Sequence, residues 1–201
     1  MATYRNTRLV PVILLILIII IAVAALVSVA RVVFFSGSSN SNPAVVDTSR
    51  ENLLNTSLGH SVSMTVRGPI VADENFHTYQ ITVSPTTREI KTFNGYLDRR
   101  VDSKTLSNTV AGYEEFVYAL EKANLSKGDE LAGDKNDIRG LCASGKLYEF
   151  SILNNGDSVK TLWTTSCNSA RGSLDGVLAT YTGLFLKQIP DADKLTKAVK
   201  L

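Results

Sequence analysis

Histidine and cysteine are scarce in this chain of 201 residues: His60, His77, Cys142 and Cys167 are all there is. Two cysteines with no histidine nearby cannot fill the four positions of a structural zinc site. They also stand too far apart for a C-x-x-C redox motif. Neither histidine lies in a nucleophile elbow or a zincin motif, although Ser61, Ser63, Asp73 and Glu74 are close in sequence. His77 opens a strand-like run and His60 follows a glycine near another, so each reads as a surface or edge residue. Acids are missing altogether from the first 35 residues, and no cysteine closely follows the apolar run found there. These absences exclude a pilin-like segment and a lipoprotein anchor.

The run itself is the strongest feature of the sequence. From Leu9 to Ala30 there is no charge, and Ile, Leu, Val and Ala dominate. As a helix it would span about 33 Å, against a hydrocarbon core of roughly 30 Å. Pro11 falls in the first turn, where its missing N–H costs little. Arg31, Phe34 and Phe35 suit the headgroup region. Arg5, Arg8 and the α-amino group precede the run, while Asp47, Arg50 and Glu51 nearly cancel after it. The positive-inside rule therefore puts the N-terminus in the cytoplasm and the rest outside. A cleaved signal peptide is the competing reading, because Ser28-Val29-Ala30 is a small-x-small site. The run is longer than the 7–15 residues usual for a signal core, which favours a retained signal-anchor.

Charge changes meaning once the anchor is set aside. Of 21 basic residues, Arg5, Arg8 and Arg31 belong to residues 1–35; the other 18 face 19 acids, a net of −1. No basic footprint for nucleic acid remains. The expected organisation is a cytoplasmic tail over 1–8, a transmembrane helix over 9–35 and a flexible Ser/Asn-rich linker over 36–59. An extracytoplasmic domain over 60–190 follows, then a tail or short helix over 191–201. A short helix within 44–58 is an alternative to continuous linker.

Within the domain, Val62, Met64 and Val66 alternate with polar residues, as do Tyr79, Ile81 and Val83; both runs read as strands. Glu89 to Tyr96 is a poorer third strand, and residues 97–108 read as polar and irregular. Val110, Tyr113, Phe116, Val117 and Leu120 form one helical stripe, with Ser107, Asn108 and Thr109 as candidate N-caps. Asn155-Gly156 between two β-rich runs predicts a hairpin with a type I′ turn. The register that follows places Tyr148 opposite Trp163, Phe150 opposite Thr161 and Ile152 opposite Val159. A last helix is expected from about Leu174 to Ile189, ended by Pro190. The expected fold is α+β: an antiparallel sheet in the order βββ-α-ββ-α, with helices packed on one face.

Cys142 and Cys167 flank the predicted hairpin at mirrored places. In an oxidising compartment this favours a disulfide closing its open end. Asp129, Glu130, Asp134, Asn136 and Asp137 form an acidic loop that begins like a calcium site. Arg139 stands where glycine is required, and no acid stands at the twelfth position, so a solvated loop is expected and no metal. Arg99, Arg100 and Lys104 are diluted by Asp98 and Asp102 and read as another wet loop. Tyr113, Tyr118, Tyr148, Trp163, Tyr181 and Phe185 read as core rather than as a pocket. No catalytic residue and no cofactor are expected. Asn55-Thr56-Ser57 and Asn124-Leu125-Ser126 are glycosylation sequons only in a eukaryotic secretory route.

Gly140-x-Cys142-x-x-Gly145-x-x-Tyr148-x-Phe150, Leu162-Trp163-x-x-Ser166-Cys167 and Leu184-Phe185-x-x-Gln188-Ile189-Pro190-Asp191 carry a resemblance. Over about residues 60–191 the chain resembles a group of uncharacterised membrane-anchored proteins of Saccharibacteria and related candidate phyla radiation bacteria. The resemblance implies an extracytoplasmic domain and carries over no activity. The functional expectation is a membrane-tethered binding domain. Its partners would be the bilayer itself and an envelope protein, surface protein or glycan. An envelope-acting hydrolase using His77 with Asp73 or Glu74 is the alternative, as is a structural subunit of a membrane complex.

Overall fold

A computed structural model of the chain describes Leu17, Ile19, residues 48–167 and residues 172–199. The segment read as a transmembrane helix over 9–35 lies outside the described residues apart from Leu17 and Ile19. Among the described residues no helix is long and apolar enough to cross a membrane. The fold set out below belongs to the unit running from Asp47 to Leu201.

That unit is α+β, with a six-stranded antiparallel sheet and helices packed against it. In chain order the elements are α1 (Ser49–Leu54), β1 (His60–Arg67), β2 (His77–Val83), β3 (Thr87–Asn94), β4 (Arg99–Ser107), α2 (Val110–Lys122), β5 (Leu147–Asn154), β6 (Asp157–Thr165), α3 (Leu178–Leu186) and α4 (Ala192–Ala198). The strand order is β4-β3-β2-β1-β5-β6, so the first strand becomes a central one. Its apolar residues Val62, Met64 and Val66 are almost completely buried, as a central strand requires.

Four expectations change. Residues 97–108 are not irregular but contain β4. It is the sheet's edge and mostly exposed, so it carries no apolar alternation to read. The packed unit also starts before residue 60: α1, the short helix that the sequence offered as the alternative to linker within 44–58, buries Leu53 in the core. The last helix begins only at Leu178, because Gly176 takes a left-handed φ of +97° beside the Ala123 carbonyl and the Tyr181 hydroxyl. Finally, the β5–β6 register holds only at the turn. There Asn155 and Gly156 do have the positive φ that the turn needs. A bulge at Val159 then inserts one residue, so that Ile152 faces Lys160, Phe150 faces Leu162 and Tyr148 faces Thr164. The slip turns Leu162 inward and sends Trp163 to the opposite face.

The core forms where α2 and α3 meet the inward face of the sheet. Thr109 caps α2 by accepting from the Gly112 N–H at 3.1 Å. Tyr113, Phe116, Val117 and Leu120 of its stripe are buried, while Val110 is exposed. Phe185 of α3 meets Phe116 edge-on at 5.1 Å and Phe150 at 5.9 Å. Lys160 is also carried inward by the bulge, is only 7 % exposed, and donates from Nζ to the Ser126 carbonyl at 2.8 Å. Its aliphatic stem packs while its ammonium keeps an acceptor.

The Tyr181 hydroxyl lies between the carbonyls of Ala123 and Asp175. Burial, helped by the Asp175 and Glu121 carboxylates, pushes its pKa up to about 12. Burial also raises Tyr79 and Tyr113. These phenols hold their protons more tightly folded than unfolded, where the value is about 10. Their contribution is fully present below that pH and is lost as pH climbs through the raised values. Alkaline titration should therefore show a late fraction of the tyrosinate absorbance appearing together with a change in Trp163 fluorescence, above pH ~10. Ionisation of all seven tyrosines near pH ~10, with Trp163 fluorescence unchanged, would contradict the burial of these three rings.

Candidate functional site

The second face of the sheet is polar and is ordered in rows. Direct register partners share a face, so one row reads Thr165, Leu147, Arg67, Thr78, Phe93. The next reads Trp163, Glu149, Thr65, Gln80, Lys91. Cross-strand bonds run between and within these rows. Arg67 Nε donates to Glu149 Oε1 at 2.8 Å, and Gln80 Nε2 donates to Thr65 Oγ1 at 3.1 Å.

Among the described residues, two hollows on this face stand out. The smaller, about 130 Å³, lies between the rows and is lined by Thr65, Arg67, Thr78, Gln80, Phe93 and Asp98. The larger, about 460 Å³, lies at the end of the sheet; its lining includes Arg67, Ile70, Phe76, Tyr96, Leu141 and Leu147. Arg67 belongs to both. Local chemistry explains the walls of the cleft. Gly68-Pro69 breaks β1, and the connection beyond it leaves Ile70 and Val71 partly exposed. Tyr96 stacks on Phe76 at 4.1 Å, and its hydroxyl donates to the Val71 carbonyl at 2.7 Å. Asp73 Oδ1 accepts from the Tyr96 N–H at 2.8 Å. Gly95 permits this approach: its φ is +77°, and a Cβ there would lie 2.9 Å from Asp73 Oδ2. The far wall is the acidic loop.

That loop is a clasp on the sheet edge. Glu130 Oε1 accepts from the Thr161 N–H, and Asn136 Oδ1 accepts from Trp163 Nε1 at 2.9 Å. These contacts cover part of an edge that would otherwise expose backbone donors. Trp163 is left 3 % exposed. The Cys142–Cys167 disulfide pins the loop to the end of β6, with a Cα–Cα distance of 5.4 Å. Gly145 allows the closure, since a Cβ there would fall 2.5 Å from Cys142 Sγ. The Ile70 N–H donates to the Ala143 carbonyl at 2.8 Å and joins the two walls.

The cations of the cleft are matched by acids. Arg67 is paired with Glu149, and Arg139 with Asp137 at 2.5 Å. Hydrogen bonds from the Arg139 guanidinium hold the Asp137 carboxyl down at about 2. The cleft is thus an apolar, aromatic hollow with a locally neutral rim, suited to an uncharged or amphipathic group rather than to a simple anion.

The residues singled out from the sequence fall elsewhere or take other roles. His60 and His77 occupy opposite ends of the sheet, given the antiparallel pairing of β1 and β2. His60 Nδ1 meets Ser57 Oγ at 3.2 Å, and His77 Nε2 meets the Asn94 amide at 3.2 Å. The Asp73 carboxylate is engaged by Tyr96, and the Glu74 carbonyl by Asn94. Among the described residues no group of three His, Cys, Asp or Glu side chains is placed to hold a metal ion. Arg99 reaches Asn94, and Lys104 reaches the Pro190 carbonyl. Tyr113, Tyr181 and Phe185 are core, whereas Tyr118 is exposed. Sequence reasoning passed over Arg67, Thr78, Phe76 and Tyr96. The available signal was apolar residues in connections, Ile70-Val71 and Tyr96-Leu97, where Leu97 is 94 % exposed. Against protein-family models, curated proteins and solved structures the chain finds no match, so the reading of this face rests on its own geometry.

Proposed function

We propose that the chain is a membrane-tethered extracytoplasmic binding domain, and that the second face of its sheet is the binding surface. On this reading the helices occupy the first face and the apolar run over 9–35 holds the domain beside the membrane. Tethering raises its effective concentration for ligands and partners at the same surface. The observation that carries the proposal is the 460 Å³ cleft. It has the size of a small-molecule site, an aromatic and aliphatic lining, and few polar groups, which is the usual make-up of such sites. Its two walls are held by a disulfide and a backbone hydrogen bond, so it is preorganised and loses little entropy on binding.

The test has two parts. Protease added to intact cells should remove the domain; protection would overturn the extracytoplasmic placement. Fluorinated aromatic fragments should then be screened by ¹⁹F NMR against the full chain in micelles. Fragments should bind the wild type and lose at least tenfold in affinity in Ile70→Asp, a change at a partly exposed position that the fold tolerates. If none binds, or if all ignore the substitution, the cleft is not a binding surface.

A further inference from the structure

The smaller hollow contains an anomaly. Thr78 is only 2 % exposed, and among the described residues its hydroxyl oxygen has no hydrogen-bond partner. A buried hydroxyl is ordinarily satisfied, and one that is not points to a missing partner. Thr78 sits in its row between Arg67 and Phe93, and all three line the hollow. We infer that this hollow is a saccharide subsite, with Thr78 as the buried hydrogen-bonding group that reads a sugar hydroxyl.

The inference rests on the second face being the binding surface. The donor set selects the ligand class. Thr78 can donate and accept. Gln80 spends Nε2 on Thr65 and keeps its carbonyl oxygen. Arg67 spends Nε on Glu149 and keeps its terminal N–H donors. Asp98 supplies an acceptor carboxylate at the rim. Donors and acceptors are therefore mixed. The positive charge of Arg67 is matched by Glu149, and that of Arg100, the register partner of Phe93 on β4, by Asp98 at the rim, so no net positive field attracts an anion. Phe93 adds a flat apolar wall whose negative ring face suits polarised C–H bonds. A ligand with several hydroxyls and one C–H face meets all of these, and a pyranose ring is that ligand. A peptide strand would need backbone groups in regular alternation, which the sheet interior does not offer. A volume of about 130 Å³ takes a single unit, and Arg67 leads from there into the larger cleft. The unit is then the polar end of a longer or apolar-substituted glycan.

The experiment uses the full chain with ¹³C-labelled threonine methyl groups, in a detergent without a sugar headgroup. D-glucose, D-galactose, D-mannose and N-acetyl-D-glucosamine are titrated separately. At least one should shift the Thr78 methyl resonance with millimolar affinity. Thr78→Val, which replaces the hydroxyl by a methyl of similar size, should weaken that sugar at least fivefold. The same variant should keep or raise the unfolding temperature and leave aromatic-fragment binding in the cleft unchanged. If no sugar moves the Thr78 signal, or if Thr78→Val binds the sugar as well as the wild type, the subsite is overturned and the hydroxyl is met by water. Retained fragment binding in that event would leave the cleft itself standing; loss of both would remove the surface reading too.

Discussion

Phe185→Ala is expected to destabilise the domain by about 3–5 kcal/mol. Phe185 is completely buried and touches the sheet at Phe150 and α2 at Phe116. Truncation removes the ring's transfer energy and leaves a cavity bounded by two other aromatic rings. The surroundings cannot easily collapse into it, because Tyr181, one turn earlier on the same helix, is itself fixed between the Ala123 and Asp175 carbonyls. α3 has only nine residues. A helix that short is marginal in water, so its order depends on the face it buries. Against a typical total of about 5–15 kcal/mol, the loss takes a large share of the stability. Urea unfolding followed by the single tryptophan, Trp163, gives the measurement. A change below about 1 kcal/mol would mean that α3 is not docked on the sheet.

Removing the disulfide should have the second largest effect. The double variant Cys142→Ser, Cys167→Ser is expected to lose about 3 kcal/mol, from the closure of a loop with a sequence separation of 25. A functional effect should accompany the loss in stability. Leu141 and Ile138 of the cleft stand on the pinned loop, and Gly140 and Cys142 take left-handed φ values within it. Without the bond, the clasp keeps only hydrogen bonds such as those to Trp163 and Thr161. Aromatic fragments should lose at least tenfold in affinity while the sheet stays folded by far-UV circular dichroism. Unchanged fragment binding would show that the staple does not shape the cleft. In the wild-type protein both sulfurs should alkylate only after reduction.

Some of this could be read locally. Asn155-Gly156 marks its turn because two consecutive positive φ angles have few other solutions. Val62, Met64 and Val66 mark β1 because one face of a half-buried strand repeats every second residue. Tyr113, Phe116, Val117 and Leu120 mark α2 for the equivalent reason at helical period. β4 was illegible because an exposed edge strand imposes no apolar pattern. The proposed binding face was illegible too. Arg67, Thr78 and Phe93 lie on three strands and meet only through register, so no spacing along the chain connects them.

By itself the sequence determined the class of the fold, its hairpin turn, its main helix and the mirrored placing of its only cysteines. Each of these depends on neighbours within a few turns or one hairpin. Only the tertiary structure decided which residues face the same way. One extra residue at Val159 turned Leu162 into the core and Trp163 out of it, because strand side chains alternate and a single insertion reverses them all. The two hollows, and the unpartnered hydroxyl in one of them, follow from the pairing of β1 with β2 and β5 and of β2 with β3, which sets Arg67, Thr78, Phe93 and Leu147 on one face.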